Sequence, residues 1–163
     1  MSGEESPSEI EFGGGNKIKF NSENKTVLVN PSLPGNSPVP GVSIKKGQLV
    51  EVVPVRDFSW ACKGNRETNS YNWVGPGGDG HYETGDERHM LPGAPFCGLI
   101  GRVGGGEWHY LGNSNTFTAD DSGNLYLTAN DVTPSNCPLS NKSECYSDNK
   151  GTPTATVTVN IKK

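Results

Sequence analysis

Short segments in which polar and apolar residues alternate dominate this sequence. Residues 154–161 alternate along their whole length, and residues 48–55 and 124–129 show a similar pattern. A period of two places every second side chain on one face of a β-strand. The segments are separated by many of the 22 Gly and 12 Pro residues, and both residue types terminate helices and favour turns. The pattern therefore predicts an all-β protein.

The predicted strands number about eight, which is typical of a small antiparallel β-sandwich of the jelly-roll type. A hairpin is predicted from residues 17–20 and 25–29, and residues 31–41 and 56–93 are predicted to be loops. The middle of the chain predicts a meander of four strands. Its members are residues 98–103, 108–111, 115–119 and 124–129. The polar residues 1–16 are expected to form a flexible leader, and residues 17–163 to form a single domain.

The formal net charge of −4 argues against a nucleic-acid partner, because such partners require a basic face. No apolar run approaches the length of a membrane-spanning helix, so insertion into a membrane is not expected. Catalysis is not expected either. Asp120 and Asp121 lie in a predicted tight turn beside Gly123, where a solvated turn explains them better than acid–base chemistry.

Four cysteines, Cys62, Cys97, Cys137 and Cys145, occur in the chain. An even number in a loop-rich chain with few apolar residues indicates disulfides and an exported protein. Cys137 and Cys145 flank one short polar loop and form the favoured pair, which leaves Cys62 to pair with Cys97. A four-cysteine zinc site is the alternative, but such sites usually contain a C-x-x-C pair, and none occurs here.

Two polar clusters remain outside the predicted strands. Asn130 and Asp131 follow one strand, and Asp148 and Asn149 precede the last one. Carboxylate and amide oxygens are the ligands that Ca²⁺ prefers. If the two flanking strands are neighbours in a sheet, both clusters meet at one end of the sandwich. The alternative is that these residues only stabilise turns, which Asp and Asn do through hydrogen bonds to the local backbone.

The order of several motifs resembles the bacterial PA-IL (LecA-like) family of calcium-dependent, galactose-binding lectins. The motifs are TVLV at 26–29, KGQLVEV at 46–52, WVGPGGD at 73–79, PGAPFCGLIGRVG at 92–104, LYLTANDV at 125–132 and DNKG at 148–151. The likeness extends from about residue 25 to residue 161. It implies a small sandwich similar to galactose-binding domains, which binds one calcium ion that the sugar hydroxyls contact directly.

The resemblance also implies particular ligands. Asp131 matches the residue that contacts both calcium and sugar, and Val132 beside it would add a backbone contact. Asp148 and Asn149 match a pair of asparagines in the family, so an aspartate stands at the first position here. Trp60 matches a tyrosine that binds calcium through its backbone carbonyl. Asp131, Val132, Asp148 and Trp60 are thus the predicted sugar contacts at the metal.

Further expectations concern the loops around this site. Cys145 would supply another loop carbonyl to the metal, and a Cys137–Cys145 disulfide would close a loop longer than that of the family. His81 lies near the position of a galactose-contacting histidine, at a different spacing and without the matching glutamine. Aromatic rings can stack on sugars, and the loop residues Trp60, Trp73 and Tyr82 are candidates. The aromatic residues on strands are expected to be core; they are Trp108, Tyr110, Phe117 and Tyr126.

The sequence thus predicts a calcium-dependent carbohydrate-binding protein, with galactose-type sugars favoured, no catalytic residues and exported localisation. The resemblance implies a homo-oligomer as the assembled form, since relatives gain avidity in this way. The alternative is a structural or protein-interaction domain of a larger exported protein, in which calcium only stabilises the sandwich.

Overall fold

The computed structural model describes residues 8–12, 16–20, 22–31, 38–65, 67–79, 89–131, 133–137, 146 and 149–162. Twelve strands occur in these residues. They are β1 (Ser8–Phe12), β2 (Asn16–Phe20), β3 (Ser22–Leu28), β4 (Pro38–Ile44), β5 (Leu49–Pro54), β6 (Trp60–Asn65), β7 (Ser70–Val74), β8 (Leu99–Val103), β9 (His109–Tyr110), β10 (Asn115–Thr118), β11 (Gly123–Ala129) and β12 (Thr156–Lys162). One turn of 3₁₀ helix spans Pro134–Asn136. In this described part, no helix is long and apolar enough to cross a membrane.

Two four-stranded sheets form the body of the protein, with strand orders β10-β5-β12-β3 and β4-β11-β8-β9. Every strand pair within them is antiparallel. Two further antiparallel hairpins, β1–β2 and β6–β7, stand outside these sheets. The predicted all-β sandwich is confirmed, with more strands than expected. The stretch predicted as a flexible leader contains the paired strand β1.

The core lies between the two four-stranded sheets, where the apolar side chains of the alternating strands face each other. Val50, Val52, Val157, Val159 and Leu125 each expose at most 1% of their surface. Intervening residues such as Thr158 and Glu51 are only partly buried or exposed. Because successive side chains point to opposite faces of a strand, this burial follows directly from the period of two in the sequence.

Strand partners differ from the predicted ones. The hairpin of residues 17–20 with 25–29 is wrong, because β2 pairs with β1 and β3 pairs with β12. The four-stranded meander is also wrong, since β10 crosses to the other sheet and pairs with β5. Alternation identifies which face of a strand is buried, but it carries no information about the neighbour along the sheet.

Two segments predicted as loops contain strands. Residues 38–40 include two prolines, yet they open β4, which lies at the edge of its sheet. An edge strand tolerates proline because one side of its backbone needs no ladder partner. Residues 60–65 and 70–74 form the antiparallel pair β6–β7, whose register shifts between Ala61 and Gly64. That irregularity interrupts the alternation by which strands are identified in a sequence.

The aromatic residues are distributed differently from the prediction. Trp60 is fully buried, whereas Trp73 is 47% exposed. Of the four strand aromatics predicted to be core, Phe117 is buried, while Trp108 and Tyr126 are half-buried and Tyr110 is 36% exposed. The last three residues face outward from the β4-β11-β8-β9 sheet, on the side opposite to its core residues.

Cys62 and Cys97 form a disulfide, as predicted. The bond joins β6 to the segment directly before β8, and both residues are buried. Cys137 is also buried and disulfide-bonded. Its expected partner, Cys145, lies outside the described residues.

Gly78 and Gly47 are a matched pair of positions for testing how tightly the loop after β7 packs on residues 96–98. Both have positive φ, +90° and +93°, but an added Cβ at Gly78 would lie 2.7 Å from the Phe96 oxygen and 2.7 Å from the Gly98 nitrogen, whereas nothing lies within 4 Å at Gly47. We expect Gly47→Ala to lower the free energy of unfolding by about 1 kcal/mol, from backbone strain alone. Gly78→Ala should lower the free energy of unfolding by about 2–3 kcal/mol, because neighbouring backbone atoms must also move.

Urea denaturation of the two variants measures this difference. Equal losses of stability at the two positions would show that the loop after β7 does not pack tightly on residues 96–98.

Candidate functional site

The two predicted polar clusters meet. Asn149 Nδ2 donates a hydrogen bond to Asp131 Oδ2 at 3.0 Å, although the two residues are 18 positions apart. Each of them exposes only 6% of its surface. The prediction required the strands that flank the clusters to be neighbours in one sheet. They are not, because β11 and β12 belong to different sheets. The contact therefore connects segments that extend from the two opposed layers.

The orientation of the Asn149 amide is set by its partners. Nδ2 also donates to the Pro31 carbonyl oxygen, at 2.7 Å. Because a carbonyl and a carboxylate both accept hydrogen bonds, only the NH₂ group of the amide can occupy this position. The amide thereby fixes the Asp131 carboxylate and connects the end of β11 to the segment after β3. Sequence reasoning missed Pro31, because backbone acceptors leave no signature in a sequence.

Tyr146 is a second residue that sequence reasoning missed. It is 1% exposed and packs with Met90 and Ile100, and its carbonyl oxygen accepts a hydrogen bond from the Asn149 N–H at 3.0 Å. Burial of the phenol, and then the negative charge of Asp131, raise the pKa of Tyr146 to about 12. The phenol therefore stays neutral beside the carboxylate at physiological pH.

Asn130 has a structural role. It is fully buried, and its Nδ2 lies within hydrogen-bond distance of the carbonyl oxygens of Leu91, Ala94 and Pro95, at 2.9, 3.1 and 3.3 Å. Its Oδ1 accepts the Leu91 N–H at 2.9 Å. The Asn130 backbone bonds to the same loop: its N–H donates to the Gly98 carbonyl oxygen, and its carbonyl oxygen accepts from the Cys97 N–H. Asn130, through its side chain and backbone together, therefore holds residues 91–98 against the end of β11, next to Asp131.

Trp60 does not present its ring to solvent. The indole is completely buried and its Nε1 donates to the Cys97 carbonyl oxygen at 3.0 Å. A sugar therefore cannot stack on this ring. The next residue, Ala61, exchanges both backbone hydrogen bonds with Lys150. Since successive carbonyls of a strand point to opposite sides, the Trp60 carbonyl faces β7 and not the segment that carries Asn149.

The structure brings together Asp131 and Asn149 of the predicted ligands. Asp148, Cys145, Val132 and His81 lie outside the described residues, as does Tyr82. Within the described ranges, no group of three or more His, Cys, Asp or Glu residues is arranged to hold a metal ion.

The described ligand candidate is the Asp131 carboxylate, whose oxygens are of the hard type that calcium prefers. This carboxylate is buried and accepts a hydrogen bond from Asn149, and a buried carboxylate gains from a nearby cation. The described residues therefore fit a calcium site in chemical type and supply part of a ligand set.

No family model and no curated protein matches this sequence. The resemblance to the PA-IL family stays a prediction.

Proposed function

We propose that the chain is a calcium-dependent carbohydrate-binding protein whose metal site lies where the end of β11 meets the segment before β12. The observation that carries this proposal is the buried contact between Asn149 Nδ2 and Asp131 Oδ2. Turn-forming residues ordinarily bond their own local backbone in exposed positions. Asp131 and Asn149 instead contact each other across a long separation in sequence, and both are buried.

Asp131 would be the carboxylate ligand in this site, and Asn149 would hold it in place. Asp148 and Val132, which directly adjoin these two residues in sequence, are proposed as further ligand and sugar contacts. The metal would supply open coordination positions for two neighbouring hydroxyls of a sugar, and galactose-type sugars are the favoured class. In this account Asp131 orients the hydroxyls, and no residue performs a chemical step.

Calcium binding is tested by titrating the full chain with Ca²⁺ after removal of metals by chelation. We expect Asp131→Asn to weaken calcium binding at least 100-fold, because it removes the only formal charge among the described donors while keeping the shape of the side chain. Asp57→Asn is the matched control, since Asp57 is exposed and distant in sequence. Unchanged calcium affinity in Asp131→Asn, in a variant that melts at the wild-type temperature, contradicts the site.

Sugar binding is tested on a glycan array, with calcium and with excess chelator. Binding of galactosides that disappears with chelator and in Asp131→Asn supports the proposed function. Calcium binding that raises the melting temperature without any glycan binding supports the alternative, a calcium-stabilised structural domain. Absence of calcium binding contradicts both the proposed function and the calcium-stabilised alternative.

A further inference from the structure

Arg102 lies on the outer face of the β4-β11-β8-β9 sheet, away from the core. Its neighbours in β8, Leu99, Gly101 and Val103, are buried, and Leu99 and Val103 belong to the core between the sheets. Alternation along the strand therefore turns Arg102 to the opposite side. Arg102 is only partly buried there, so part of this side chain is accessible from solvent.

Two aromatic rings hold the guanidinium group. Its central carbon lies 4.6 Å from the centre of the Trp108 ring and 5.6 Å from that of Tyr126. Tyr126 is the direct cross-strand partner of Arg102, and Trp108 packs against the small cluster of Met90, Ile100 and Tyr146. Both rings are half-buried. The group is thus positioned by cation–π contacts, which leave its N–H donors unused.

One N–H donor of Arg102 has no acceptor in the described part of the protein. Nε is buried, and no described residue accepts a hydrogen bond from it. A buried N–H without an acceptor is costly, and more so when it carries charge. Because Nε is buried, an acceptor from outside the chain would bind the Nη donors of the guanidinium group, which the contacts with the two rings do not use.

We infer that Arg102, Trp108 and Tyr126 form a binding site for the carboxylate of an acidic monosaccharide. A planar carboxylate matches the planar fork of a guanidinium group. Tryptophan and tyrosine offer apolar ring surface together with polar edges, which suits the mixed apolar and polar surface of a sugar ring. The two rings restrict the guanidinium before binding, so little side-chain entropy is lost when the ligand arrives. This site is on the outer sheet face and does not depend on calcium.

The test follows the three tryptophan indole N–H signals in ¹⁵N-labelled full-length protein, with excess chelator present throughout, so that failure of the calcium site has no effect on the result. The probes are glucuronate, glucose and acetate. We expect glucuronate to shift the Trp108 signal saturably, with a Kd at least tenfold lower than that of acetate and no saturable shift with glucose. Trp108→Phe assigns the signal, and Trp73 provides an exposed reference indole elsewhere on the surface.

Two variants examine the role of the guanidinium. Arg102→Gln should weaken glucuronate binding at least tenfold. Arg102→Lys keeps the positive charge but lacks the planar guanidinium group, and it should also weaken binding severalfold. Melting temperatures confirm that both variants are folded. Equal affinities for acetate and glucuronate, saturable binding of glucose, or unchanged glucuronate affinity in Arg102→Gln would each overturn the inference.

Discussion

Asn130→Asp is expected to lower the free energy of unfolding by about 4 kcal/mol. The change replaces an NH₂ group by an oxygen that faces the carbonyl oxygens of Leu91, Ala94 and Pro95. All three carbonyls would lose a donor at once. The new carboxyl group, at a position with 0% exposure, must either stay protonated or carry an unpaired charge in the interior.

The measurement is chemical denaturation at neutral pH, with Asn124→Asp as the control. Asn124 lies on β11, the strand that Asn130 follows, but is exposed, so the same chemical change there should alter stability by less than about 0.5 kcal/mol. At low pH the Asn130→Asp variant should recover part of its stability, since a protonated carboxyl can donate one hydrogen bond. A loss at Asn130 no larger than that at Asn124 would mean that residues 91–98 do not depend on this side chain.

Removing the Cys62–Cys97 disulfide should have an effect of similar size. The bond closes a loop of 35 residues, and the chain-entropy relation gives about 4 kcal/mol for a loop of that length. The double variant Cys62→Ala, Cys97→Ala removes the cross-link without introducing a buried hydroxyl. Residues 60–65 and 97–99 are held by other contacts as well, including the Trp60 Nε1 bond to the Cys97 carbonyl, so the variant is expected to fold.

The dependence of unfolding on denaturant separates the cross-link from simple loss of packing. Without the disulfide the unfolded chain expands and exposes more surface, so the slope of free energy against denaturant should increase. A cavity alone would lower stability without changing that slope. If the double variant keeps both the wild-type midpoint and slope, the disulfide does not contribute to stability.

Much of the fold was predictable from local pattern. The all-β class followed from alternation with frequent Gly and Pro, and strands β5, β8, β11 and β12 lie close to their predicted positions. Strand partners were not predictable, because alternation is the same whichever strand lies alongside. The strand β4, which contains prolines, and the bulged pair β6–β7 were also not predicted. Whether a strand accommodates a proline or a bulge depends on its position in the sheet.

The candidate site shows the same division. The residue types of Asp131 and Asn149 indicated an oxygen-rich site from the sequence, and the spacing of the cysteines indicated the Cys62–Cys97 bond, which the structure confirms. By contrast, the Trp60 ring was a candidate for stacking on a sugar and instead fills the core. A tryptophan in a glycine-rich segment has no neighbouring pattern that reveals which way its ring points.

The sequence alone determined the class of fold, the buried face of most strands, one disulfide and the two polar clusters. These depend on side-chain chemistry and on periods of a few residues, which a linear sequence contains. Tertiary structure alone decided that Asn149 bonds Asp131 and Pro31, that Asn130 holds a loop, and that two rings enclose Arg102. The Asn149 contacts depend on segments that extend from the two different sheets. The Asn130 and Arg102 contacts depend on β8 and β11 lying side by side within one sheet, which local preference does not determine.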